Sequence, residues 1–168
     1  LEYSFDEKFS FKYPAGWTVE AKEPHPNPLL TGEGREGGKG ISLSPSPLRG
    51  EGGGEGEKTL TLNSDTKTFA IEFFTDEKSA DLSAVDYAQR STKSYGKLVN
   101  QGLAKIPDTD FAFVKVWDPS EPGRGFEGRP KLQFFLFKGD TVIEIVVFPG
   151  DSVFMKQFDG ILETIEII

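Results

Sequence analysis

Two periodicities organise this chain. Phe9-Ser10-Phe11-Lys12-Tyr13 alternates apolar and polar residues, which sets Phe9, Phe11 and Tyr13 on one face of a strand. Pro14-Ala15-Gly16 stops it, and Trp17 and Val19 start a second short strand, so a hairpin is predicted around Pro14 and Gly16. Residues 59–62 and 68–74 predict two more strands, joined by a turn at Asn63-Ser64-Asp65. From position 81 the period lengthens. Leu82, Val85, Ala88, Thr92, Tyr95 and Val99 recur at three- and four-residue steps, with Ser79 or Asp81 to cap the start and Gly96 or Gly102 near the end. That spacing predicts one amphipathic helix over 81–99.

Strand patterns return at 111–117, 131–137 and 141–148, the last two flanking the tight turn Lys138-Gly139-Asp140. Their apolar character is nearly continuous, as expected of strands buried on both faces. A second helix is predicted from Asp151 or Ser152 as cap through Phe154, Phe158, Ile161, Leu162 and Ile165. This order predicts an α+β domain, an α/β/α sandwich with a central, mostly antiparallel sheet flanked by helices. Each large apolar side chain buried there contributes roughly 1.5–3 kcal/mol, enough for a core without disulfides.

Residues 24–57 break the pattern. Pro26-Asn27-Pro28-Leu29 followed by Gly32-Glu33-Gly34 is echoed by Ser44-Pro45-Ser46-Pro47-Leu48 followed by Gly50-Glu51-Gly52. So few apolar residues among so many glycines and prolines cannot offset ordering entropy. The stretch reads as a flexible, repeat-derived insertion within a single domain spanning 1–168. It holds the chain's one histidine, His25, and a Gly32-x-Gly34-x-x-Gly37 pattern. A dinucleotide site needs a strand before those glycines and a helix after them, and prolines and further glycines stand there instead. No cofactor is therefore assigned. His25, set between two prolines, is a poor candidate for a catalytic base.

Composition narrows the chemistry. The 168 residues include no cysteine, which excludes thiolate catalysis, disulfides and zinc ribbons. A net charge of −8 and a pI near 4.8 argue against nucleic acid or an anionic membrane as partner. No apolar run has the length of a membrane span, so direct insertion by this domain is not expected. The sequence starts at Leu1 rather than Met, as a trimmed or processed product would. Asp6/Glu7, Asp76/Glu77 and Asp108/Asp110 read as turn acids and lack the spacing of a calcium loop. A hydrolase with paired carboxylates is the enzymatic alternative, although no pair stands out in sequence. The loop 118–130 carries Arg124, Phe126 and Arg129, a composition enriched at protein-binding hot spots. A protein partner and a monomeric domain are expected.

Phe9-Ser-Phe-Lys-Tyr13-Pro14-Ala-Gly16-Trp17 resembles the opening strand and Pro-x-x-Trp corner of PsbP-like domains. Phe148-Pro-Gly150-Asp151 through Phe154 to Ile161-Leu-Glu-Thr-Ile165 resembles their closing strand and helix. The resemblance implies an α/β/α sandwich, an architecture shared with a eukaryotic Ran-binding protein. It also implies a non-catalytic, extracytoplasmic accessory or binding role, in a periplasm, in a lumen or lipid-anchored at a membrane surface. Metal-binding histidines of some relatives have no counterpart here outside the inserted stretch, and no metal, cofactor or catalytic residue is carried over.

Overall fold

The computed structural model describes residues 1–5, 7–22, 59–91, 93–118 and 129–168. His25 and the glycines of the 24–57 stretch lie outside them. Seven strands form one antiparallel sheet in the order β3-β4-β5-β9-β8-β7-β6: β3 is Thr18–Lys22, β4 Thr59–Asn63, β5 Ala70–Glu77, β6 Lys97–Ala104, β7 Phe111–Asp118, β8 Lys131–Lys138 and β9 Thr141–Phe148. A second sheet of three joins β1 (Glu2–Phe5), β2 (Phe9–Lys12) and β10 (Glu166–Ile167). Two short helices, α1 (Ala84–Arg90) and α2 (Met155–Leu162), complete the described elements. The domain is α+β and mostly antiparallel sheet.

The predicted sandwich flanked by helices overstates the helix. One face of the large sheet is covered chiefly by the small sheet together with α2. Phe11 of β2 stacks on Phe73 of β5 at 4.7 Å, and Phe158 of α2 meets Phe134 of β8 at 5.5 Å. The opposite face is covered over a small area by α1, whose Ala88 packs with Phe113, Phe135, Phe137 and Val142. The central strand β9 is buried on both faces, as its continuous apolar run predicts.

The hairpin at Pro14 and Gly16 does not form. β2 pairs with β1 and β10, whereas β3 pairs with β4 in the other sheet. Pro14 and Gly16, with φ of +89°, instead carry the chain from one sheet to the other, and Trp17 packs edge-on against Phe69 and Phe154. A corner between layers has the same composition as a hairpin turn. Lys22 and Thr59 face each other across the β3–β4 pair, so the chain leaves the sheet and re-enters it at neighbouring positions.

The predicted helix over 81–99 is split. Ser83, rather than Ser79 or Asp81, caps α1 by accepting the Asp86 amide at 3.1 Å. The helix ends at Arg90, and Val99 lies in β6. Serines 91 and 94 favour backbone turns over helix, and Gly96 adopts φ of +135°. Pairing of residues 97–104 with β7 then overrides the helical spacing that had included Val99. At the other end, α2 starts one residue after Phe154, the Ser152 hydroxyl accepts the Phe154 amide at 3.2 Å, and Ile165 is buried beyond the helix.

A polar clamp fixes the last strand. The Asp108 carboxylate accepts Lys138 Nζ and the Ile167 amide, each at 3.0 Å, and Lys138 Nζ also donates to the Ile167 carbonyl at 2.6 Å. The Lys138 hydrogen bond, then that of Ile167, holds the Asp108 pKa below the ordinary value of 3.8. A depressed folded-state pKa adds stability above the unfolded value, and this is lost as pH falls through the folded one. Asp108→Asn is therefore expected to be less stable than the parent at pH 7. The difference should close as pH drops below 3.8, which paired urea melts across pH 2.5–7 will read.

Candidate functional site

Three strands of the large sheet each carry one polar residue where their alternation calls for an apolar one. In β7 (FAFVKVWD) it is Lys115, in β8 (KLQFFLFK) Gln133 and in β9 (TVIEIVVF) Glu144. Lys115 faces Gln133 in register, while Glu144 faces Phe135, so Glu144 sits diagonally from Gln133 on the same face. All three are buried.

Their polar atoms are bonded in series. Trp117 Nε1 donates to Gln133 Oε1 at 2.9 Å, and Gln133 Nε2 donates to Glu144 Oε1 at 2.8 Å. Tyr95 Oη donates to the same Glu144 oxygen at 3.2 Å, and Lys93 Nζ reaches Glu144 Oε2 at 3.1 Å. Each donor therefore answers an acceptor that burial would otherwise leave costly. Lys115 Nζ lies 5.3 Å from the Phe135 ring and 5.9 Å from that of Trp117. Burial pulls its pKa down from the ordinary lysine value, with the Glu144 charge opposing.

Around this network, cations lie over rings. Lys93 Nζ is 3.9 Å from the centre of Phe74, and Lys131 Nζ sits between Tyr95 and Phe148 at 4.6 and 4.5 Å. An open cleft of about 320 Å³ between α1 and the sheet brings Glu144 and Lys93 together with Phe74, Asp76, Tyr87 and Arg90. Asp76 is occupied in turn, accepting the Glu77 amide at 2.8 Å and the Tyr87 hydroxyl. Three of the four carboxylate oxygens in the cleft thus accept hydrogen bonds from the protein, and the fourth, Glu144 Oε2, pairs with Lys93.

Of the residues singled out from sequence, Arg124 and Phe126 lie outside the described residues. Arg129 Nε pairs with Asp151 Oδ1 at 3.0 Å on the surface, which ties the end of that loop to the start of the α2 segment. Asp110 accepts the Gly139 amide at 2.8 Å, the role of a turn acid. Among the described residues, no three His, Cys, Asp or Glu side chains gather as a metal cluster. The polar network itself was missed, although its signal is in the sequence. Three successive strands each break an apolar run with a polar residue, Lys115, Gln133 and Glu144, on the face that α1 covers.

The large twisted sheet, the small sheet against it and the two short helices define a PsbP-like fold. The chain is similar in structure to cyanobacterial PsbP (CyanoP) from Synechocystis sp. PCC 6803, with a TM-score of 0.56 and 11% identity over 100% of this chain and 92% of that one. A protein of Bacteroides thetaiotaomicron VPI-5482 aligns with a TM-score of 0.46 and 12% identity, over 99% of this chain and 48% of its own. No protein-family model and no curated protein matches the sequence.

Proposed function

We propose that this chain is an extracytoplasmic accessory domain that acts by binding a protein partner, in the manner of PsbP-like proteins that assist membrane-bound complexes. The observation that carries this reading is the PsbP-like fold over the full length of the chain. The hydrogen-bonding of the cleft supports it, since Glu144 and Asp76 are engaged by neighbouring groups rather than presented to a substrate. The partner surface includes the loop carrying Arg124, Phe126 and Arg129, and no helix among the described residues is long and apolar enough to cross a membrane.

The test is to isolate the native protein from its own cells, determine its mass and N-terminal sequence, and follow its fractionation. A cleaved or lipidated N-terminus together with co-sedimentation with a membrane complex is the expected result. An uncleaved protein recovered entirely in the cytosol overturns the extracytoplasmic reading. The one enzymatic alternative, a carboxylate-pair hydrolase, draws on Asp76 and Glu144 sharing a cleft. It requires turnover of a glycoside that is abolished in Glu144→Gln while the fold is retained.

A further inference from the structure

One part of this acidic protein has no acid in it. Between Asp86 and Asp108 there is no Asp or Glu, and Arg90, Lys93, Lys97 and Lys105 are all cationic. That segment supplies β6, which ends the seven-strand sheet and among the described residues pairs only with β7. The strand is exposed along most of its length, with Leu98 40%, Val99 62% and Leu103 70% accessible. A large exposed apolar side chain every few residues on an open edge is a hazard that edge strands normally blunt with charge or proline. Here the seven residues from 98 to 104 hold neither. The lysines stand at the two ends instead, Lys97 opposite Asp118 of β7 and Lys105 just past Ala104, and the register shift lies between Leu98 and Asn100, leaving the remainder of the strand regular. Gly102 is compatible with this, because a glycine within a strand leaves room for another backbone to come close. Within the described structure nothing lies within 4 Å of where its Cβ would be.

We propose that β6 is a docking edge for an extended acidic segment of the partner protein, which adds to the sheet as an eighth strand. The proposal rests on the binding role argued above and names its surface. Backbone groups of β6 would pair with the incoming strand, Leu98, Val99 and Leu103 would contact its apolar side chains, and Lys97 and Lys105 would meet its acids. The charge pattern argues against a second copy as occupant. Antiparallel pairing about Gln101 would set Lys97 of one copy opposite Lys105 of the other, and each copy carries a net charge of −8.

The test titrates ¹⁵N-labelled full chain with a ten-residue peptide of alternating Glu and Val, and with its Lys/Val counterpart. The expected result is saturable shift changes confined to residues 97–105 and slowed amide exchange there with the acidic peptide alone. Lys97→Glu/Lys105→Glu, both at exposed ends of the strand, should weaken binding by roughly tenfold or more and keep the parent spectrum elsewhere. Shifts that map to another surface, or equal binding by the charge-reversed variant, overturn the proposal. So does concentration-dependent dimerisation through β6, or a response of β6 to anionic phosphatidylglycerol vesicles but not to the peptide. Repeating the native co-sedimentation with the charge-reversed variant separates the two readings. If the variant still travels with its complex, the accessory role stands and this surface is wrong; if the parent travels with no complex, the accessory role itself falls.

Discussion

Replacing Glu144 with Ala is expected to destabilise the domain by about 3 kcal/mol, because one residue satisfies three others. Its removal takes away the acceptor that Gln133 Nε2 and Tyr95 Oη share and the carboxylate that pairs with Lys93 on a half-buried site. The cost comes from those lost bonds, the buried Gln133 amide above all, rather than from the intrinsic worth of an ion pair, since desolvation consumes most of the Coulomb gain. Lys115→Met supplies the contrast. The ammonium is buried, and among the described residues its contacts are two rings and the charge of Glu144, so an apolar side chain of similar length should change stability by less than about 1 kcal/mol. Denaturant melts of both variants at pH 7 check the pair of expectations. Equal losses would mean that Lys115 contributes as much to the network as Glu144 does.

Phe73→Ala should cost more, about 4 kcal/mol, and lower the melting temperature by roughly 10–15 °C. Phe73 is fully buried, stacks on Phe11 at 4.7 Å and lies 5.5 Å from Phe9, so it is the hinge-pin between the two sheets. Its neighbour Phe74 points to the other face, where it is half-buried beneath Lys93. Phe74→Ala should therefore cost about 1 kcal/mol. Thermal melts of the two variants read the difference between the faces directly, and similar losses would contradict the assignment of Phe73 to the packed side.

How much of this could be read from the sequence follows from where the deciding forces act. β4, β5, β7, β8 and β9 were legible because alternation or continuous apolar character over five to eight residues is a local signal. β6 was not, since KLVNQGLA has neither clean period and becomes a strand by pairing with β7. β10 is two residues long and exists because β2 offers an edge and Asp108 and Lys138 hold it there. The turn at Pro14 and Gly16 was legible as a turn but not as a change of sheet, since the destination of a chain after a turn is set by tertiary packing. The polar network required knowing that β7, β8 and β9 are adjacent. Only then do Lys115, Gln133 and Glu144, separated by 11 to 29 positions in sequence, become neighbours.

The facing positions of Lys22 and Thr59 have a practical consequence. A segment whose two ends enter and leave at one point of a sheet places no demand on the distance its interior must span, and closure entropy grows only with the logarithm of its length. Whatever occupies residues 23–58, the scaffold there works as a socket. An epitope tag, a fluorescent reporter or a second folded module with closely spaced termini could be spliced between those strands, turning this domain into a carrier for cargo.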